Sequence, residues 1–149
     1  MQGQIEITFD RSERLYKWID PTSGEVLTAP AKEKEMLFRA AVGILDPDLY
    51  KAAEAAIERH PQLERVTWRA VELVAREKIE VYPGLRGSVA AMVDSSDEYG
   101  RYAIEHTKYG LTCQCEHFQG GYAPLTESGS RCCKHIVAYH LWLHTRAEW

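Results

Sequence analysis

The sequence predicts an α+β chain: an N-terminal β-hairpin plus helices, then a small antiparallel sheet that closes on a last helix. Three observations predict it. Apolar and polar residues alternate with a period of two near the start and again after Lys78, the pattern of half-buried strands. From Lys32 to Glu77 the apolar period lengthens to that of a helix. Beyond the second alternating stretch, all four cysteines fall within 21 residues and five of the six histidines within the last 44.

Taken in order, Ile5, Ile7 and Phe9 alternate with Glu6 and Thr8 as a first strand, and Asp10-Arg11-Ser12-Glu13 reads as a turn. Leu15 to Ile19 supplies its partner. Pro21-Thr22-Ser23-Gly24 is a second turn signal before a short third strand at Glu25 to Thr28. Met36/Leu37, Ala40/Ala41 and Ile44/Leu45 recur every four residues as the apolar stripe of a first helix. Asp46-Pro47 ends it and starts the next, with Asp46 as N-cap and Pro47 at the first helical position, where its missing N–H is not needed. That second helix runs to Arg59 and buries Leu49, Ala53, Ala56 and Ile57. His60-Pro61 repeats the device, with His60 as a partner for the helix dipole, and a third helix spans about 62 to 77 on Leu63, Val66, Ala70, Leu73 and Val74.

After Lys78 the strand period returns. Ile79 and Val81 alternate, Pro83-Gly84 is a turn signal, Ser88 to Asp94 is a strand, and Ser95 to Gly100 is a polar turn. Arg101 to Thr107 and Leu111 to Cys113 continue the meander. The stretch from Gln119 to Arg131 has no periodicity, and Ile136 to Leu143 resumes as an amphipathic helix. The one candidate junction lies near Glu77, dividing a hairpin and helical region, 1–77, from a C-terminal module, 78–149.

The chain has 149 residues, 45% hydrophobic and 27% charged, with a net charge of −4. This composition excludes disordered and collagen-like classes. No apolar run reaches the ~20 residues that cross a bilayer, and the polar start Met1-Gln2-Gly3-Gln4 lacks a signal peptide's character. A cytoplasmic chain with no membrane partner is the expectation. In a reducing compartment, clustered cysteines point to a metal or to redox chemistry before disulfides.

Cys113-Gln114-Cys115 and Cys133-Lys134-His135 form a Cys-x-Cys and Cys-x-His quartet, separated by 17 residues. Three thiolates and one imidazole suit Zn²⁺, which takes four such ligands at tetrahedral angles in structural sites. The expectation is one zinc per chain on Cys113, Cys115, Cys133 and His135. Cys132-x-x-His135 remains an alternative for the third thiolate. With zinc bound through three thiolates the formal charge becomes about −5. His140 and His144 read as a polar stripe rather than as ligands, and His117 is left outside the quartet, with a substitute ligand or a hydrogen-bond donor to the ligands as its alternative role. His140 and His144 have metal-pair spacing, but with no third ligand nearby in sequence.

This quartet resembles the SWIM zinc finger, whose signature is Cys-x-Cys, a variable gap, then Cys-x-His. The approach through Tyr102-Ala103-Ile104 to Leu111-Thr112-Cys113, the aromatic Phe118, and the run Cys133 to Ala138 are similar to that family's strand, strand, helix order. The resemblance covers about residues 86 to 146. Glu116-His117 stands where a proline-containing turn is common in the family, and Cys132 doubles the third ligand position. The resemblance implies a zinc-bound ββα module and a DNA-binding or protein-interaction role beside helicase-like ATPases, transposases or recombinases.

Four protein ligands leave no open position for a catalytic water. The deaminase, His-Glu-x-x-His, phosphate-loop and nucleophile-elbow patterns are absent from the sequence. The chain is read as a non-enzyme. For a nucleic-acid role the candidate contacts are Lys108, Arg131, Lys134 and Arg146, interleaved with Tyr109, Phe118, Tyr122, Tyr139 and Trp142. The alternative is a zinc-stabilised adaptor that binds protein and not DNA. Residues 1–60 carry eight basic and eleven acidic side chains, and residues 61–149 ten and eleven, so neither half offers a bulk basic surface.

Overall fold

The computed structural model describes residues 5–20, 22–94 and 100–147. The polar start at 1–4, Pro21 of the second turn, and 95–99 of the polar turn lie outside the described residues. The chain divides into two compact units, Met1–Lys51 and Ala52–Trp149. This division differs from the junction expected at Glu77. The third helix packs on the C-terminal helix, so the apolar stripe that starts at Leu63 belongs with the sheet unit. The break falls inside a helix, where no composition change marks it.

In the first unit, β1 (Ile7–Asp10) pairs antiparallel with β2 (Leu15–Trp18), with Ile7 opposite Trp18 and Asp10 opposite Leu15. Asp10 organises the turn. Its carboxylate accepts from the Ser12 N–H at 2.9 Å, the Ser12 hydroxyl at 2.6 Å and the Lys17 ammonium at 2.9 Å. These donors, Ser12 foremost, hold Asp10 well below the usual carboxylate range. Phe9 is half exposed and leans on Tyr16, with ring centroids 5.0 Å apart. The third strand expected at Glu25 to Thr28 is reduced to one isolated bridge, Ile19 to Val26, and a second bridge, Tyr16 to Ala31, lies beyond it.

Helix α1 (Lys34–Leu45) buries Leu37, Phe38, Ala41 and Val42. This corrects the expected stripe by one position, since Met36 is 57% and Ile44 60% exposed. Helix α2 (Pro47–Arg59) begins as read: the Leu49 N–H donates to the Asp46 carboxylate at 3.2 Å. Leu49 and Ala53 are fully buried, while Ala56 and Ile57 are half-buried.

In the second unit a single tight turn at Pro61–Leu63 leads into α3 (Glu64–Ala75). Thr67, Ala70, Val71, Val74 and Ala75 form its buried face. The helix ends earlier than the pattern suggested. Glu77 adopts a left-handed φ of 56°, the Lys78 N–H reaches the Leu73 carbonyl at 2.9 Å, and the Glu77 N–H reaches Val74 at 3.1 Å. Those two bonds are the paired closure of a Schellman end.

Strands β3 (Ile79–Arg86), β4 (Val89–Asp94), β5 (Arg101–Thr107) and β6 (Gly110–Cys113) form one antiparallel sheet in that order. Pro83-Gly84 does not turn the chain. It lies inside edge strand β3, where the register slips between Val81 and Arg86, a position that tolerates proline's missing donor. The reversal comes at Gly87, with φ +67°. A one-turn helix α4 (Glu116–Gln119) follows β6, and α5 (Lys134–Arg146) closes the chain against α3, β3 and β6. Val93, Ile104, Ile136, Val71 and Val74 are buried to 2% exposure or less.

Candidate metal centre

Three local structures deliver four ligand atoms to one point. Cys113 is the last residue of β6, paired across to Ile104. Cys115 stands at the start of α4 and Cys133 at the start of α5, both with extended backbone. His135 lies in the first turn of α5. The ligand atoms of Cys113, Cys115, Cys133 and His135 all lie within 4.8 Å of one another, and all four residues are buried. The structure therefore brings Cys133, rather than Cys132, into the group. Cys132 is buried beside it, and that burial pushes its thiol pKa up.

The donor set fits zinc by distance and by chemistry. Zn–S and Zn–N bonds of about 2.3 and 2.0–2.1 Å at tetrahedral angles put a sulfur and a nitrogen about 3.6 Å apart. The Cys113 Sγ to His135 Nδ1 distance is 3.6 Å. All four cysteines are free thiols. As a protein-only group they compete for protons. Hydrogen bonding with Cys115, then with Cys133, drives the Cys113 pKa up, and hydrogen bonding with Cys113, then with Cys133, drives Cys115 down. Cys133 is pushed up to about 11, because Cys115 and burial outweigh the lowering by Cys113. A divalent cation resolves that competition by stabilising all three thiolates at once.

Backbone N–H groups complete the setting. Cys115 donates to the Cys113 sulfur, Phe118 to Cys115, and Ile136 to Cys133, each favouring the anion. The one-turn helix α4 and the first turn of α5 aim two of these three donors. His135 is 3% exposed, and among the described residues its Nε2 has no hydrogen-bond partner. With Nδ1 turned to the thiols, Nε2 is the remaining ring nitrogen, and the Tyr102 ring lies 5.2 Å away, tilted by 53°.

The stretch 119–131, aperiodic in the sequence, is nonetheless tied to the site by specific bonds. The Gln119 side chain donates to the Cys113 carbonyl at 2.9 Å, and the Ala103 N–H donates to the Gln114 side chain at 3.1 Å. The Arg131 guanidinium donates through Nη1 to the Gly121 carbonyl at 2.6 Å and the Ala123 carbonyl at 2.9 Å. The Cys132 N–H reaches the Pro124 carbonyl at 2.9 Å. Gly120 leaves no room for a side chain: an added Cβ would meet the Glu116 carbonyl oxygen at 2.9 Å. Gly121 is required for a different reason, its left-handed φ of 78°.

The four candidate nucleic-acid contacts are not brought together. Lys108 sits in the β5–β6 turn, at the other end of β6 from Cys113. Arg131 is committed to the loop. Lys134 and Arg146 stand at opposite ends of α5, about 18 Å apart along the axis. His117, His140 and His144 are exposed, and among the described residues no second group of three or more ligating side chains converges. No helix among the described residues is long and apolar enough to cross a membrane.

All four ligand residues are buried, and three thiolates with one imidazole make up a donor set that structural metal sites use. The group is a Cys₃His cluster fitted to one metal ion, plausibly zinc. No family model, curated protein or solved structure matches the chain.

Proposed function

We propose that this chain is a SWIM-type zinc module: a non-catalytic, nucleic-acid-binding accessory protein that works beside a helicase, recombinase or transposase. The observation that carries the reading is the buried quartet itself. A Cys-x-Cys closes a β-hairpin and a Cys-x-His opens the following helix, the order and spacing of the family named above. Residues Cys113, Cys115, Cys133 and His135 hold the metal, and the metal supplies folding energy. Apparent zinc-binding energies of ~10–16 kcal/mol in finger peptides match a whole domain's stability.

The test is fluorescence anisotropy of the zinc-loaded chain with single- and double-stranded DNA at two salt concentrations. Two or three phosphate contacts on a single strand give a log–log salt slope of about −1.4 to −2. Across a fourfold rise in salt, affinity then falls about 7- to 20-fold. A flat titration at both salts would overturn the nucleic-acid reading.

One observation favours a second reading, an adaptor that grips protein alone. In the Met1–Lys51 unit, Met36, Ile44 and Phe9 are each more than half exposed, and apolar surface of that kind suits a protein partner. A flat DNA titration combined with retained zinc would support it.

A further inference from the structure

The sheet topology sends two hairpin turns to the same end. β3 reverses into β4 at Gly87, and β5 reverses into β6 at Lys108-Tyr109. The His106 N–H donates to the Ser88 carbonyl at 2.9 Å, and Val89 lies opposite Glu105. These contacts set the turns side by side, two strand spacings or about 10 Å apart. Asp94, Arg101 and Cys113 lie at the other end of the sheet.

Each turn carries a cation over an aromatic ring. The Arg86 guanidinium carbon is 4.3 Å from the Tyr82 ring centroid, and the Lys108 ammonium is 5.0 Å from that of Tyr109. Tyr109 is 87% exposed. Among the described residues, neither Arg86 nor Lys108 has a carboxylate within ion-pair distance, and both are exposed. The sheet's other arginine behaves differently: Arg101 pairs with Glu80 and Asp94 at 3.2 Å each. The sheet is therefore polarised, with its acids neutralised at one end and its free cations at the turns. His106 is exposed there too, and among the described residues the one acid between the turns, Glu105, is half-buried and accepts from the Ser88 hydroxyl at 3.3 Å.

We propose that this hairpin-tip edge binds single-stranded nucleic acid, with Arg86 and Lys108 on phosphates and Tyr109 stacked on a base. The inference rests on the nucleic-acid reading above and moves the contact from the zinc-proximal basic residues to the turns. Two features select a single strand. An exposed ring stacks only on a base whose face is uncovered, and a duplex covers those faces. Two unpaired cations also suit a short phosphate track better than a wide duplex surface.

The experiment titrates the zinc-loaded full chain with a short fluorescein-labelled oligothymidylate. Tyr109→Ala should weaken binding about 5-fold or more, and Tyr109→Phe, which keeps the ring, should bind as the parent does. The double variant Arg86→Ala/Lys108→Ala should make the log–log salt slope shallower by about 1.4. These side chains are exposed, and unchanged circular dichroism and zinc content show that the variants fold. Oligothymidylate binding that all variants retain would overturn the hairpin-tip site and leave the nucleic-acid reading standing. No binding by the parent chain would overturn both. Equal affinity for a duplex would overturn the single-strand assignment, and equal competition by polyglutamate would overturn stacking as its basis.

Discussion

Arg131 separates two accounts of the basic residues near the metal centre. Its position in the sequence suggests a contact to phosphate, whereas its side chain is turned inward as a clamp on the Gly121 and Ala123 carbonyls. Removing the guanidinium in Arg131→Ala leaves both carbonyls without that donor. Gly121 is exposed and regains water, so its loss costs little. Ala123 is 4% exposed, and a charge-assisted bond to a buried carbonyl contributes about 2 kcal/mol. Folding and zinc binding are coupled, so the loss appears as apparent zinc affinity about 30-fold weaker, at 1.4 kcal/mol per decade. Arg131→Lys should weaken it as well, because one ammonium does not reproduce the two-carbonyl geometry. Competition with a chromophoric chelator at fixed pH measures the change. Once fully zinc-loaded, both variants should bind oligothymidylate as the parent does. Unaltered zinc affinity in Arg131→Ala would refute the clamp, as would a fully loaded variant that has lost the oligonucleotide.

Two further outcomes test the frame around the site. Glu77→Gly should raise stability by about 0.5–1 kcal/mol, or roughly 2–4 °C in melting temperature. Glycine removes the left-handed strain at φ 56° and leaves the two closing bonds intact, so a lower melting temperature would contradict that account. Asp10 makes the N-terminal hairpin acid-sensitive. Its folded pKa lies below the ordinary value because Ser12, Lys17 and Glu13 donate to it. Its stabilising contribution is therefore full above about pH 4 and lost as pH falls through the folded value. Hairpin amide signals in NMR should hold down to that pH and broaden below it, and Asp10→Asn should abolish the acid step; an acid step that persists in Asp10→Asn would assign it elsewhere.

The Cys₃His group was the most legible feature, because a site fitted to a metal ion fixes ligand type and spacing in the sequence itself. Asp46-Pro47 was legible for a similar reason: a cap and a missing donor are local. Where several solutions fit the same letters, the sequence decided less. Around Met36-Leu37-Phe38 and Ala40-Ala41-Val42, two apolar stripes a residue apart fit equally well. Packing chose Phe38 and Val42 over Met36 and Ile44. Pro83-Gly84 looked like a turn, but an edge strand absorbs proline as an irregularity and leaves the reversal to Gly87. The Arg131 clamp was illegible because its partners are backbone carbonyls, which carry no sequence signal. The same holds for the N–H groups that aim at the three sulfurs.

Elemental analysis of the purified full chain, alongside Cys132→Ser and Cys133→Ser, tests the central claim most directly. The account predicts one zinc per chain in the parent and in Cys132→Ser, and loss of zinc with loss of folded structure across residues 52–149 in Cys133→Ser. A folded parent chain without zinc would contradict it, and so would zinc that depends on Cys132 and survives the loss of Cys133.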